Sequence, residues 1–271
     1  MKNKKTPYKS VLTIAGSDSG GCAGIQADIK SISACGAYAA SVITATTAQN
    51  TQGVTDIHAI PVLHIEKQLN AVLSDINFGA IKIGMLYSCD VIKVVALKLT
   101  EYSVKNIVLD PVMIATSGDK LITENTIECL KDFLPKIQLI TPNIPEAELL
   151  IKHPIDVTNF ENSAKEIGLQ YKTSVLLKGG HLNSTSNEMS DVLFVNQTNK
   201  IHRINNPKIN TNNTRGTGCS LSSSIATFLC LGYPIETAVK KACQYVNEAI
   251  GNGKNKILGK GNAPINHFGL N

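Results

Sequence analysis

The sequence predicts an α/β protein with a mostly parallel central sheet and helices on both faces. Short runs of aliphatic and β-branched residues alternate with stretches whose apolar residues recur every three or four positions, as strands and amphipathic helices do. This alternation is typical of βαβ units joined by right-handed crossovers. Two late extended runs, 191–195 and 200–204, are separated by a short polar segment and predict an antiparallel hairpin at one edge of the sheet.

In chain order, the other predicted strands are short and apolar. They cover residues 11–15, 41–47, 54–60, 80–83, 106–109, 138–141 and 174–178. Helices are predicted between them from apolar residues at helical spacing, namely Ile25/Ile29/Ile32, Ile65/Leu69/Leu73, Val91/Val94/Val95/Leu99, Ile127/Leu130 and Leu221/Ile225/Phe228/Leu229. Pro145 suits the first turn of a short helix, and Pro234 opens the last one. Thr158 and Glu161 have the spacing of a capping box for a helix between these two.

Composition indicates a single domain covering residues 1–271, with residues 1–8 as a flexible N-terminal tail. The chain is 43% hydrophobic, enough for a large core, and contains no internal repeat or linker. Its net charge of +5 comes mainly from scattered lysines, without an arginine-rich stripe, which disfavours nucleic acid as a partner. No apolar run is long enough to span a membrane. The modest positive charge suits an anionic small-molecule substrate.

The cysteines favour a cytoplasmic protein with reduced thiols. Their number is odd, and no two form a CxxC pair; they are Cys22, Cys35, Cys89, Cys129, Cys219, Cys230 and Cys243. This pattern disfavours both a disulfide framework and a zinc site.

A glycine-rich segment near the C-terminus predicts an anion site. Gly216, Thr217, Gly218 and Cys219 stand where a loop becomes a helix. The N–H groups of a first helical turn have no partner within the helix, and the helix dipole also favours an anion there. Taken alone, such a segment is equally compatible with a simple glycine-rich turn.

The position of this segment suggests a phosphate-handling enzyme of a particular kind. Ligands of parallel α/β sheets bind beyond the carboxyl ends of the strands, where the polar loops of this chain are also predicted to meet. Gly253-Lys254 and Gly259-Lys260 lack the following Ser or Thr of a Walker A loop, and the glycines of 16–24 do not match GxGxxG. A kinase that holds phosphate at a late helix N-terminus remains.

Eight motifs, in order along nearly the whole chain, carry a resemblance to one family. They are 12–18 (LTIAGSD), 24–28 (GIQAD), 47–51 (TAQNT), 82–86 (KIGML), 109–113 (LDPVM), 141–146 (TPNIPE), 178–181 (KGGH) and 216–219 (GTGC). The sequence resembles the hydroxymethylpyrimidine/phosphomethylpyrimidine kinases of thiamine biosynthesis, in the ribokinase-like superfamily. The resemblance implies a three-layer α/β/α sandwich and two successive ATP-dependent phosphorylations, which convert 4-amino-5-hydroxymethyl-2-methylpyrimidine to its monophosphate and then to its diphosphate. It also implies a homodimer.

The resemblance assigns one group of residues to the pyrimidine. The backbone of Gly16 and the side chains of Asp28 and Gln49 would hydrogen-bond the ring and its amino group, because a carboxylate and an amide together match the donors and acceptors of an aminopyrimidine. The remaining members would line the pocket, namely Thr47, Met85 and Val112.

A second group is assigned to phosphate, nucleotide and metal. Asn143 and Glu146 resemble an NxxE element that helps hold Mg²⁺, which needs few protein ligands, and Asp110 is a second candidate carboxylate. Lys178 resembles a lysine that contacts the transferred phosphate. The nucleotide and phosphate site would further include Gly180, Thr214 and Arg215, and His181 is a weaker candidate.

The proposed chemistry centres on Cys219. Backbone N–H groups of Gly216, Thr217, Gly218 and Cys219 would stabilise charge on the transferred phosphoryl group. The thiol of Cys219, with its pKa lowered by the helix N-terminus, would act as the base that removes the proton from the hydroxymethyl group.

The sequence departs from the family pattern at two positions. Asn210 stands where an aspartate is usual, and Arg215 stands in place of a histidine. The first removes a charge near the nucleotide or a monovalent cation that the family can bind, whereas the second keeps a cation beside the phosphate. Two other functions stay open: a pyridoxal kinase of the same branch, and a binding protein that has lost turnover.

Overall fold

The computed structural model describes residues 6–113, 123–180 and 188–269, and all structural statements below refer to them. Nine strands form a single sheet in this part of the chain. They are β1 (Ser10–Asp18), β2 (Tyr38–Gln49), β3 (Val54–Ala59), β4 (Ala80–Ile83), β5 (Ile107–Leu109), β6 (Leu139–Ile140), β7 (Ser174–Leu177), β8 (Glu188–Val195) and β9 (Lys200–Pro207).

Eight α-helices connect or follow these strands in the described residues. They are α1 (Gly24–Ala34), α2 (Val62–Leu73), α3 (Cys89–Glu101), α4 (Glu124–Phe133), α5 (Ile144–Ile151), α6 (Phe160–Tyr171), α7 (Thr217–Cys230) and α8 (Ile235–Gly253). None of the described helices is long and apolar enough to cross a membrane.

The strand order is β3-β2-β1-β4-β5-β6-β7-β8-β9, and the six strands from β2 to β7 run parallel to their neighbours within that group. The predicted hairpin, β8–β9, lies antiparallel at one edge. At the other edge β3 pairs antiparallel with β2, which the sequence did not specify. The predicted α/β class with a mostly parallel sheet is therefore confirmed.

Two apolar cores, one on each face of the sheet, make the fold three-layered. Alternate residues of β1 point to opposite faces, so that Leu12 and Ile14 join α2–α6 while Val11 joins α1, α7 and α8. Val11, Leu12 and Ile14 are fully buried, as are the strand residues around them. A parallel sheet covered on both sides needs such near-continuous apolar strands.

The bounds of two elements differ from prediction. Strand β1 continues beyond Ala15 to Asp18, with a shift of register against β2 at Gly16. Helix α6 has no side-chain cap, because Thr158 instead bonds the Asp156 carboxylate through both its N–H (2.7 Å) and its hydroxyl (2.6 Å). The predicted capping box of Thr158 and Glu161 was therefore wrong.

The expectation that all seven thiols are reduced was also wrong. Cys89, in the first turn of α3, and Cys129, in α4, form a disulfide with their Cα atoms 5.5 Å apart. Forty residues separate them in sequence, and only the packing of the two helices brings them together. The remaining five cysteines are free.

Part of the predicted N-terminal tail, residues 1–5, lies outside the described residues. Residues 6–8 are exposed, and the ring of Tyr8 lies 5.8 Å from that of Tyr38.

Candidate active site

The anion motif forms the N-terminus of α7, as predicted. Gly216 is the N-cap residue with φ of 81°, a left-handed conformation that glycine adopts without strain. A Cβ atom there would also lie 2.0 Å from the carbonyl oxygen of Cys22. Gly218 and Cys219 belong to the first turn, whose N–H groups have no acceptor within the helix. We call residues 216–219 the cradle.

One end of the cradle faces a lysine and a carboxylate. A Cβ on Gly218 would lie 3.4 Å from Asp110 Oδ2 and 3.6 Å from Lys178 Nζ. Asp110 follows β5, and its Oδ1 accepts hydrogen bonds from Lys178 (3.2 Å) and from the hydroxyl of Thr141 (3.1 Å). Asp110 is buried, whereas the Lys178 side chain is 21% exposed. Burial lowers the pKa of Lys178, but Asp110 and Glu146 outweigh this and raise it, so the lysine is cationic.

Asn143 and Glu146 form a capping box at the start of α5. The Asn143 side chain accepts from the Glu146 N–H at 2.9 Å, and Glu146 Oε2 accepts from the Asn143 N–H at 2.9 Å. Glu146 Oε1 accepts a longer bond, 3.4 Å, from the N–H of Met113. Burial and the nearby Asp110 raise the pKa of Glu146 to about 7, against the opposing effect of Lys178. Both side chains thus have a structural role whether or not they also serve a ligand.

The oxygen donors present suit Mg²⁺. No group of three or more His, Cys, Asp or Glu side chains in the described residues could enclose a metal. Mg²⁺ does not need such a group, since it is usually held by one or two carboxylates together with substrate phosphates and water. Asp110 Oδ2 faces the cradle and has no protein donor among the described hydrogen bonds, so it fits this role better than Glu146, whose oxygens both accept from the backbone.

Cys219 lies in the first turn of α7, as predicted, but its pKa moves in the direction opposite to the predicted one. The N–H of Gly24, at the start of α1, lies close enough to the thiol to influence its pKa. Burial raises the pKa of the thiol to about 11, and the carboxylates of Asp28 and Asp110 add to this. Lys82 and the Gly24 N–H lower it, but not enough to compensate. Without a ligand the thiol is therefore protonated at neutral pH.

The assignment of Asp28 to the pyrimidine conflicts with the structure. Asp28 is completely buried and forms an ion pair with Lys82 at 2.7 Å, both side chains being 0% exposed. Thr13 donates to the same oxygen at 2.6 Å, and Ser223 of α7 donates to the other at 2.5 Å. The carboxylate is enclosed by protein donors, so it joins β1, β4 and α7 rather than presenting itself to a ring.

The structure gives contacts for two pairs of the other predicted substrate residues, Gly16 with Met85 and Thr47 with Gln49. A Cβ on Gly16 would lie 3.0 Å from Met85 Cε, so the strand shift at Gly16 lies directly against Met85. Gln49 Oε1 accepts from the hydroxyl of Thr47 at 3.1 Å, while its Nε2 has no partner among the described residues. The half-buried Gln49 can thus still donate to a ligand. Val112 is half-buried beside Asp110.

The remaining predicted nucleotide and phosphate residues are mostly exposed or lack hydrogen-bond partners among the described residues. Thr214 and Gly180 are exposed, and so is Asn210, one of the two departures. His181 lies outside the described residues. The guanidinium of Arg215 lies close enough to Cys22 to lower the pKa of its thiol, and the buried Nε of Arg215 has no hydrogen-bond partner in the described residues.

Three residues that organise the site received no role from the sequence. Lys82 neutralises Asp28, and the only signal was a charge inside an apolar strand. Asp18 accepts from the N–H groups of Gly20, Cys22 and Ala23 at 2.8–2.9 Å and so shapes the loop against the cradle. The Asn213 side chain donates to Gly253, Lys254 and Lys256 carbonyls and accepts from the Ala263 N–H, which fastens the C-terminal segment to the cradle.

The fold and this site define a class: three-layer α/β/α proteins in which a glycine-rich motif forms the N-terminus of a late helix. The family model for phosphomethylpyrimidine kinase matches residues 18–266. The chain therefore belongs to the phosphomethylpyrimidine kinase family.

Similar proteins support the same family assignment. The chain is 42% identical to the hydroxymethylpyrimidine/phosphomethylpyrimidine kinase of Haemophilus influenzae, over 96% of this chain and 97% of that protein. It is 45% identical to the thiamine biosynthesis bifunctional protein of Geobacter sulfurreducens, over 98% of this chain. The chain spans only 54% of the length of that bifunctional protein, and 34% of the multifunctional protein of Corynebacterium glutamicum.

Solved structures show the same fold. The phosphomethylpyrimidine kinase of Clostridium difficile 630 is 42% identical, with a TM-score of 0.78, covering 89% of this chain and 99% of that one. Pyridoxal kinase of Staphylococcus aureus in complex with AMP-PCP is 28% identical, with a TM-score of 0.87, covering 98% and 96%. The ribokinase-like fold that the resemblance implied is confirmed.

Proposed function

We propose that this protein transfers the γ-phosphoryl group of ATP to 4-amino-5-hydroxymethyl-2-methylpyrimidine and then to the resulting monophosphate, giving the diphosphate used for thiamine. One arrangement carries the proposal: Gly218 of the cradle lies beside Lys178 and Asp110, while Gly216 lies against Cys22, in the loop that follows Gly16. The pKa of Cys219 is influenced both by Asp110 and by the N–H of Gly24, which belongs to the second side. Family membership supports the same reaction.

On the phosphate side, the main contribution would be stabilisation of the negative charge on the transferred phosphoryl group. The N–H groups of Gly218 and Cys219 would donate to oxygens of the transferred group, and Lys178 adds a cation beside them. The N–H of Thr217 already donates to the Thr214 carbonyl at 3.3 Å. Asp110 would hold Mg²⁺, with Glu146 nearby; a bound Mg²⁺ neutralises phosphate charge and orients the leaving group. Burial keeps Glu146 partly protonated near pH 7, so a cation there would favour its ionised form.

On the acceptor side, Cys219 is the candidate base. Its thiol is influenced by Asp110 and by the N–H of Gly24, and Gly24 in turn packs against Gly16, since a Cβ on Gly24 would lie 2.3 Å from the Gly16 carbonyl. A pKa of about 11 makes the thiolate rare at pH 7, but a rare thiolate is a strong base. It would take the hydroxyl proton as the acceptor oxygen attacks phosphorus.

The pyrimidine would lie against Met85 and Gly16, with its polar edge toward Gln49. The Nε2 of Gln49 can donate to a ring nitrogen, and the irregular backbone at Gly16 leaves main-chain groups to pair with the amino side. Thr47 orients Gln49 by bonding its carbonyl oxygen, and Val112 would contact the ring from the phosphate side. Asp28 acts indirectly, by positioning α7 through Ser223.

A pyridoxal kinase is the second candidate. The chain matches Staphylococcus aureus pyridoxal kinase in complex with AMP-PCP and pyridoxal with a TM-score of 0.86 at 28% identity. Identity to the pyrimidine kinases is higher, which favours the pyrimidine. A protein that binds without turnover is disfavoured, because the cradle, Lys178 and Asp110 are all in place.

Product analysis separates these candidates. Purified protein with ATP and Mg²⁺ is offered the pyrimidine alcohol, its monophosphate and pyridoxal in parallel, and products are resolved by ion-exchange chromatography. We expect both pyrimidine phosphates to form. Pyridoxal phosphate formed with a far higher kcat/KM, and without pyrimidine diphosphate, would identify a pyridoxal kinase. No phosphorylated product from any acceptor would identify a binding protein.

We further propose a homodimer that binds ATP as co-substrate and needs no nucleic acid or membrane. Comparing the activity in potassium salts with that in tetramethylammonium salts tests whether the protein uses a monovalent cation. The same comparison tests whether this use persists with Asn210 in place of the usual aspartate. Light scattering after gel filtration measures the oligomeric state directly.

A further inference from the structure

The cradle has two chemically different ends. Its Gly218 end faces Lys178, whose charge is offset by Asp110 at 3.2 Å and by the nearby Glu146. Its Gly216 end lies against Cys22 of the loop 18–24, which follows the part of β1 that contains Gly16. Arg215 immediately precedes this second end.

The charge of Arg215 is not offset in the same way. Arg215 takes part in none of the ion pairs among residues 6–113, 123–180 and 188–269, and its Nε is enclosed without a hydrogen-bond partner there. The guanidinium lies near the thiol of Cys22, which itself donates to the Gly20 carbonyl at 3.5 Å. The carboxylate of this loop, Asp18, is already bonded to three backbone N–H groups. An enclosed guanidinium donor that lacks an acceptor has an unfavourable free energy unless an anion supplies one.

The two phosphorylations differ in what they require at this end. The first acceptor is a neutral alcohol, whereas the second is a phosphomonoester carrying close to two negative charges. Its approach to the γ-phosphoryl group of ATP brings two anions together, and a cation on the acceptor side lowers that repulsion. An arginine also matches phosphate geometry with paired donors.

We propose that Arg215 binds the phosphate group of the phosphomonoester acceptor and therefore serves the second phosphorylation and not the first. This inference rests on the proposed function. It assigns separate tasks to the two cations beside the cradle. Lys178 contacts the transferred group, and Arg215 contacts the phosphate already present on the acceptor.

The test measures the two steps separately. Initial rates are determined with the pyrimidine alcohol and with its monophosphate for the parent, Arg215→Gln and Arg215→Lys. For Arg215→Gln we expect KM for the monophosphate to rise roughly 10- to 100-fold, the loss usual for a charge-assisted contact, and kcat/KM for the alcohol to fall by a much smaller factor. Arg215→Lys keeps the charge and should lose less.

Lys30→Gln is the matched control. Lys30 lies near Cys22 too, but it donates to the carbonyl of Gly21 at 2.8 Å, and it has no place in the proposed site. Its removal should leave the ratio of the two steps unchanged. If Lys30→Gln changes that ratio as much as Arg215→Gln does, the cause is the loss of positive charge in general, and the assignment to Arg215 is overturned. Equal losses in both steps for Arg215→Gln would also overturn it.

Binding without ATP keeps this inference separate from the proposed reaction. Titration calorimetry of the monophosphate and the alcohol against the parent and Arg215→Gln does not require turnover. A preference for the monophosphate that disappears in Arg215→Gln supports the inference even if the parent phosphorylates neither compound, in which case only the proposed function fails. No preference in the parent, or one that persists in a folded Arg215→Gln, overturns it.

Discussion

Two lysine–aspartate pairs lie near the cradle, and they differ in how completely the protein satisfies them. Lys82 and Asp28 are 2.7 Å apart, fully buried, and joined by Thr13 and Ser223. Lys178 and Asp110 are 3.2 Å apart, and the lysine remains 21% exposed. Asp110 also keeps one oxygen facing the cradle.

The difference indicates that one pair has a structural role and the other can take part in chemistry. A buried pair with all its acceptors filled cannot bind a ligand without breaking its own contacts, and its value lies in fixing the elements it joins. A pair with an unfilled oxygen and an exposed ammonium can exchange protein contacts for ligand contacts at little cost. We infer that Lys82–Asp28 positions α7, whereas Lys178–Asp110 takes part in the reaction.

The largest effect is expected at Cys219. The pKa of its thiol is influenced by Lys82 and Asp28 of one pair and by Asp110 of the other. Cys219→Ser keeps the shape but removes the base, so kcat should fall roughly 10²–10⁴-fold while KM for ATP changes little. Cys219→Asp should recover part of kcat, and should recover the second step less than the first because its charge repels the phosphomonoester. Steady-state rates of each step measure this; a Cys219→Ser protein as active as the parent would reduce the thiol to a packing role.

The pH dependence tests the same group independently. Because the pKa of the thiol is raised to about 11, the thiolate fraction increases about tenfold per pH unit from pH 7 to 9. The parent's kcat should therefore rise with pH over this range, and that of Cys219→Ser should not. A parent profile as flat as that of the variant contradicts a thiolate base.

The next effect concerns stability. Lys82→Met leaves the Asp28 carboxylate buried without its counter-charge, and we expect the free energy of unfolding to fall by about 3–5 kcal/mol. The double variant Lys82→Met/Asp28→Asn removes both charges and should regain more than half of that loss. Denaturant unfolding measures both. If the double variant is no more stable than Lys82→Met, the cost arises from packing and not from the unpaired charge.

Lys178→Met should give the opposite result. We expect kcat to fall roughly 10²–10³-fold, as when one donor to a developing phosphate charge is lost. The unfolding free energy should fall by less than in Lys82→Met, because Lys178 is 21% exposed and Asp110 keeps the hydrogen bond from the Thr141 hydroxyl. Lys200→Met, which removes an exposed lysine from the edge hairpin, is the control. A strongly destabilised but catalytically normal Lys178→Met would reverse the comparison of the two pairs.

The smallest effect is expected at Gln49. Gln49→Leu should weaken pyrimidine binding by about 1–3 kcal/mol, since a ring acceptor would lose its donor, and ATP binding should be unchanged. Gln52→Leu, in the exposed turn after β2, serves as the control. Calorimetry with each ligand gives the answer, and equal losses for both ligands would assign Gln49 a structural role.

The sequence by itself determined the fold and the identity of the cradle. Apolar runs and helical spacing report burial directly, so the alternation of strands and helices and the hairpin β8–β9 were predictable. The Gly-Thr-Gly-Cys motif was equally local, because a left-handed N-cap and a free first turn are properties of adjacent residues.

Only the tertiary structure decided which polar groups are already satisfied. Asp28 looks like a ligand residue in sequence, and the helix terminus beside Cys219 predicts a lowered pKa. Both conclusions changed because of groups distant in the chain, Lys82 and Ser223 for the first and burial by several elements for the second. The Cys89–Cys129 bond follows the same rule. Desolvation, charge pairing and disulfide formation depend on distances in space, which a sequence pattern does not contain.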